Sequence, residues 1–152
     1  MKRNWIIKGI ILPLVIIIDM VTKFLFEGHS FVLIPKVLSV TSLHNYGAAW
    51  GIFDGMTWLL IVLTVLFVAA IVTFDIFKKI DSPLYSVGIA FIVGGAVGNI
   101  VDRIAFGYVR DFIEFTFFKF PVFNMADSFL TVGVVLLLIK VIFFSRSKGG
   151  AQ

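Results

Sequence analysis

Four apolar runs, each long enough to cross a bilayer, constrain this chain more than any other feature. They extend from about Trp5 to Phe26, Met56 to Phe77, Leu84 to Ile104 and Ala126 to Phe144. A helix needs about 20 predominantly apolar residues to span the hydrocarbon core. Inside lipid every backbone polar group must be paired within the protein, so such runs are expected to be helices. The composition leaves no alternative solvent. With 60% hydrophobic and only 14% charged residues, and a mean hydropathy of +1.07, the chain cannot cover itself with polar groups. The sequence therefore predicts an all-α polytopic membrane protein, one membrane-embedded unit over residues 1–152. The first run has a basic start, but it is long and no small-x-small cleavage site follows, so it reads as a retained helix.

Basic residues set the orientation. Lys2, Arg3 and Lys8 stand at the start of the first run, Lys78 and Lys79 lie between the second and third, and Arg146 and Lys148 follow the fourth. Four alternating helices bring all three clusters to one side, so both termini are expected to be cytoplasmic. In this context the net charge of +4 reads as loop charge that orients the chain, not as a nucleic-acid site. The connections 27–55 and 105–125 then face outward. The segments Phe31–Ile34, Leu38–Thr41 and Phe115–Phe118 are rich in β-formers, with Pro35 and Pro121 as breaks. They predict a small extracytoplasmic β-cradle.

The chain has no cysteine, which excludes disulfides and thiolate chemistry, and its two histidines, His29 and His44, are too few for an all-histidine zinc site. No metal or cofactor is expected. Ala90, Gly94 and Gly98, with Gly95 beside them, are small residues spaced for close helix packing.

Charged and polar groups in such helices are expensive and ask for a reason. Asp19 and Lys23 lie one turn apart on the first helix and read either as a self-neutralising ion pair or as part of a site. Asn45 sits in His44-Asn45-Tyr46-Gly47-Ala48-Ala49-Trp50-Gly51, a segment with turn glycines. Asn99 and Arg103, one turn apart near the end of the third helix, can face one cavity. An arginine there can hold a carboxylate or carbonyl, or simply pair with Asp102. Asp111 follows the third helix and Asp127 opens the fourth, so the chain leaves and re-enters the membrane beside them. Asn124 or Asp127 can cap the fourth helix, but capping does not account for a second aspartate next to it. Two carboxyls about 3 Å apart share a proton. Such a pair can activate water against a peptide bond, and proton-coupled transporters also bury aspartates.

The motifs are more specific than the pair alone. Asp19-Met20-Val21-Thr22-Lys23, Asn45-Tyr46-Gly47-Ala48-Ala49-Trp50-Gly51, Gly94 through Arg103, Gly107-Tyr108-Val109-Arg110-Asp111-Phe112 and Phe123-Asn124-Met125-Ala126-Asp127-Ser128 occur in this order. Together they resemble the lipoprotein signal peptidase (signal peptidase II) family of bacterial membranes over nearly the whole chain. The resemblance implies an aspartic endopeptidase that cuts diacylglyceryl-modified prolipoproteins just before the lipidated cysteine. Asp111 and Asp127 would be its catalytic dyad. Asn99, Arg103, Asn124, Asn45, Asp19 and Lys23 would be substrate-binding or positioning residues. The implied partners are prolipoproteins, membrane lipids and globomycin-type peptide inhibitors, for a monomer in the cell membrane with its site near the outer face. Met20 stands where the family has glutamine, and His44 where arginine is common, which bears on substrate contacts more than on the dyad. The rival readings are a proton-linked transporter using Asp19, Lys23 and Asp127 as a relay, and a scaffold packed through the third helix.

Overall fold

The computed structural model describes residues 2–144; Arg146 and Lys148 lie outside the described residues. The element order is α1 (Lys2–Phe26), β1 (Ser30–Ile34), β2 (Leu38–Asn45), a single 3-10 turn (Ala49–Gly51), α2 (Thr57–Lys78), α3 (Pro83–Phe106), β3 (Val109–Phe115) and α4 (Met125–Phe144). All four helices are long and apolar enough to cross a membrane, and each begins and ends within three residues of its predicted limits. The protein is a multi-pass membrane protein with a small antiparallel sheet.

Helix α3 is central. Two-thirds of its most apolar window is buried, against 11–17% for the other three helices, which turn their side chains to lipid. Small residues produce that placement. A Cβ on Gly94 would lie 2.7 Å from Val15 Cγ1 of α1, one on Gly95 would lie 2.4 Å from the Ala126 carbonyl oxygen of α4, and one on Gly88 would lie 2.8 Å from Leu137 of α4. Different faces of one helix thus admit α1 and α4 at near-backbone contact, as small residues do in membrane bundles. Local signals fix the ends of α3. Ser82 caps its start, Pro83 occupies the first turn, and Gly107 takes the left-handed conformation (φ 83°) that ends it and turns the chain into β3.

The sheet has the order β1-β2-β3, antiparallel throughout. The first two strands match expectation. The third does not: it is Val109–Phe115, with Asp111 inside it, rather than Phe115–Phe118. The aromatic run packs on itself instead. Phe117 and Phe118 have ring centroids 4.6 Å apart, and both lie 5.7 Å from Phe115. Strand propensity loses to this cluster, while Val109–Phe115 finds a paired partner in β2.

Beyond the aromatic run the chain returns to β3. Phe123 accepts from the amides of Phe112 and Ile113 at 3.0 and 2.8 Å and donates to Ile113 at 3.0 Å. This short bridge sets Asn124, the next residue, beside Asp111, and α4 starts one residue later.

Candidate active site

Helix α4 opens with a reciprocal cap. The Asp127 amide donates to Asn124 Oδ1 at 3.0 Å, and the Asn124 amide donates to Asp127 Oδ2 at 3.2 Å. This is the capping-box arrangement, which satisfies two orphan donors of the first turn. Both capping options read from the sequence are therefore realised at once. The cap uses one Asp127 oxygen, and the other accepts from Asn99 Nδ2 at 2.8 Å. Across the site, Asp111 Oδ1 accepts from Asn124 Nδ2 at 2.6 Å and Oδ2 accepts from Asn45 Nδ2 at 2.8 Å.

All four oxygens of the two carboxyls thus receive one hydrogen bond each, and Asn124 touches both residues. Asn124 thus links the two aspartates, donating to Asp111 from its side-chain amide and to Asp127 from its backbone amide. The Asn124 Nδ2 group also donates to Asn99 Oδ1 at 3.1 Å, and Lys23 Nζ donates to that same oxygen at 3.0 Å. Lysine only donates, so Asn99 must turn its oxygen to Lys23 and its amide nitrogen to Asp127.

Asp111 is 3% exposed. Burial first, and the charge of Asp127 second, push its carboxyl from 3.8 up to about 7; the hydrogen bonds from Asn45 and Asn124 pull in the opposite direction. Desolvation disfavours the charged form, and a neighbouring carboxylate disfavours it further. The Asp111 carboxyl is thereby held where it exchanges a proton near neutrality.

The chain matches the model of signal peptidase (SPase) II over residues 11–143. It is 43% identical over 145 residues to the lipoprotein signal peptidase of Geobacillus kaustophilus (strain HTA426), covering 91% of this chain and 94% of that one. It is 40% identical over 149 residues to that of Staphylococcus aureus (strain JH9), covering 93% and 91%. The chain belongs to the signal peptidase II family. As a member it is a membrane protease, which removes the transporter and scaffold alternatives. Two solved bacterial membrane enzymes share the fold of this peptidase: one with a TM-score of 0.86 at 36% identity over 95% of this chain and 93% of that one, another with 0.80 at 38% over 90% and 92%.

The peptidase opens onto an apolar groove of about 470 Å³ beside Asp127. Trp50, Phe115, Phe120, Phe123 and Thr131 line it. Trp50 is 73% exposed and sits in the left-handed region (φ 58°), packed edge-on against Phe120 at 6.1 Å.

Sequence-predicted residues fall in three groups. Asp111, Asp127, Asn99, Asn124 and Asn45 meet around one point. Asp19 and Lys23 lie behind them, fully buried, as an ion pair of 2.7 Å. Asp19 also accepts from the Ala126 amide at 2.9 Å. Arg103 reaches the site from the side: Nη2 donates to the Gly47 carbonyl at 2.9 Å, while its buried Nε has no partner among the described residues. It does not take Asp102. That carboxylate is held by Arg110, through Nη2 at 2.8 Å, Nε at 3.2 Å and the backbone amide at 3.0 Å.

Arg110 and its second partner, Glu27 at 3.2 Å, are not among the residues expected from the sequence. A cation directly before Asp111 was the available signal. A further partly buried pair, Lys8 with Asp75 at 2.5 Å, joins α1 to α2 at the end of the bundle away from these residues. Asp75 interrupts the second apolar run and could have been flagged there.

Proposed function

We propose that this chain is an aspartic endopeptidase that removes the signal peptide from diacylglyceryl-modified prolipoproteins, cutting just before the lipidated cysteine. The observation that carries this reading is the shared Asn124 contact: it holds the Asp111 and Asp127 carboxyls together, each oxygen already oriented by a donor, at the edge of an apolar groove. The Asp127 charge raises the Asp111 carboxyl, and two carboxyls coupled in this way retain one proton between them. The ionised member takes a proton from water as that water adds to the scissile carbonyl. The protonated member donates to the carbonyl oxygen, giving a tetrahedral diol. Collapse of the diol breaks the C–N bond: the protonated member gives its proton to the departing cysteine amine while the ionised member takes one from a diol hydroxyl. The signal peptide leaves with a new carboxyl group, and the dyad is restored to its single-proton state.

The surrounding residues support this division of labour. Asn45, Asn99 and Asn124 fix the carboxyl planes. Arg103, whose buried Nε has no partner among the described residues, has donor capacity to offer a substrate carbonyl. The exposed aromatics of the groove suit the apolar signal peptide and the acyl chains, which reach it sideways from the bilayer. The paired but open-sided sheet suits an extended peptide added as a strand. Globomycin-type peptides are expected to compete for the same groove. We place both termini on the cytoplasmic side of a bacterial cell membrane, with the site near the outer face, and take the monomer as the working unit.

The test is cleavage of a lipidated precursor in proteoliposomes by Asp111→Asn and Asp127→Asn proteins. Both are expected to fold and to lose cleavage. A folded variant of either kind that cuts at the wild-type rate refutes the proposal.

A further inference from the structure

Behind the two aspartates runs a line of buried ions that their chemistry does not use. Asp19, Lys23 and Asp102 are each 0% exposed. Lys23 Nζ lies 2.7 Å from Asp19 Oδ2 and 3.5 Å from Asp102 Oδ2. The outer ends of this line are informative. Asp19 Oδ1 accepts from the backbone amide of Ala126, the residue directly before Asp127. Asp102 Oδ2 accepts from the backbone amide of Arg110, the residue directly before Asp111, and both carboxylate oxygens also bind that arginine's guanidinium. Each carboxylate therefore pins the main chain one residue upstream of one aspartate of the pair, and a single ammonium ties the two carboxylates together.

We propose that Asp19, Lys23 and Asp102 form a strut that sets the spacing of Asp111 and Asp127, so that all three are positioning residues for the reaction. This rests on the dyad reading given above. An ion pair alone would need neither backbone amide. A cap alone would need no lysine between two carboxylates. The arrangement spans α1, α3, β3 and the start of α4, the elements whose relative placement decides how far apart the two carboxyls stand. A buried charge cluster of this kind is costly to assemble and yields geometric definition more than stability. Lys23 has a second attachment to the site through Asn99 Oδ1, which keeps the Asn99 amide turned to Asp127.

Spacing is readable in solution because it sets how strongly the two carboxyls influence each other's titration. Close carboxyls split their apparent pKa values, and looser ones draw them together. The charged groups facing the pair are Lys23 from α1 and Arg103 from α3, besides the aspartates themselves. Three variants perturb the strut differently. Lys23→Met removes its centre. Asp102→Asn weakens its hold on Arg110. Gly98→Ala changes no charge, but its Cβ would stand 2.4 Å from Asp19 Oδ2 and so must displace that carboxylate. Asp75→Asn, which breaks the Lys8 pair at the far end of the bundle, is the control for general destabilisation.

The experiment is the pH profile of kcat and kcat/KM for precursor cleavage by detergent-solubilised full-length protein. In the strut variants the acid and alkaline limbs should approach each other. The kcat should fall between about tenfold and a hundredfold, the scale of loss for misplacing reacting groups by an ångström, with KM within about twofold of wild type as expected when only transition-state geometry suffers. Asp75→Asn should lower the folded fraction and leave both limbs in place. Gly98→Ala is decisive because its charge is unchanged, and any one folded strut variant suffices for the comparison. A folded Gly98→Ala or Lys23→Met protein with wild-type limb separation and kcat overturns the strut. Cleavage surviving in Asp111→Asn would instead overturn the dyad reading beneath it.

Discussion

Replacing Asp111 with asparagine should stabilise the protein at alkaline pH while abolishing its activity. Burial and the neighbouring Asp127 raise the Asp111 carboxyl from 3.8 to about 7 in the fold. A group whose folded pKa lies above its unfolded one holds its proton more tightly when folded, so stability declines as pH rises between those two values. Below 3.8 both states are protonated and there is no penalty; above about 7 the folded protein carries the whole of it. The interval corresponds to about 4 kcal/mol. Asparagine never ionises and escapes that cost. It brings a constant one instead, because Asn45 and Asn124 both donate to Asp111 and an amide presents an oxygen to only one of them. A donor left facing a donor costs about 1–3 kcal/mol. The offset is the same at every pH, so the quantity to measure is the change in the mutant-minus-wild-type difference. Thermal unfolding in detergent at pH 4 and pH 8 should show Asp111→Asn gaining on wild type by on the order of 10 °C across that range. A difference that stays flat would mean that Asp111 is ionised throughout and holds no shared proton.

Other perturbations test the site piece by piece. Asn124→Ala removes the helix cap and the contact joining the two aspartates; it should cost about 1–2 kcal/mol in unfolding stability and lower kcat far more than it raises KM. Gly95→Ala drives a Cβ to 2.4 Å from the Ala126 carbonyl, a backbone atom that cannot swing away, so it should destabilise by about 1–3 kcal/mol or more. Gly9→Ala, with nothing within 4 Å of the added Cβ, should be neutral or slightly stabilising in the same melt. Trp50→Ala should raise KM for the lipidated precursor by about tenfold, the scale of a modest aromatic hot spot, with kcat largely retained in steady-state assays.

Helices were the most legible part of this chain because lipid enforces them: apolar length alone located all four within three residues of their limits. The sheet was partly legible. β1 and β2 followed residue preference, but Phe117 and Phe118, with the same preference, lie beyond the end of the strand pairing and pack on each other, while Val109–Phe115 pairs with β2 and holds Asp111. Pairing is a property of two segments, and composition of one segment cannot supply it. Asp111, Asp127 and the three asparagines were legible as polar groups out of place at a membrane boundary. What linked them was not. The capping box that joins Asn124 to Asp127 and the bridge of Phe123 to Ile113 depend on how the outer connection folds back. Asp102 was offered to its sequence neighbour Arg103 and went to Arg110, eight residues on, because Gly107 reverses the chain between them.

The proposed reaction requires Asp111 and Asp127 to act as one unit on one water. Single-turnover cleavage of a lipidated precursor by Asp111→Asn, Asp127→Asn and the double variant, each checked for wild-type-like folding, tests that most directly. Members of a catalytic unit are grossly non-additive, so each single variant should lose cleavage to background and the double variant should be no slower than either. Substantial activity in one single variant, with the losses multiplying in the double, would mean two independent contributions and no dyad.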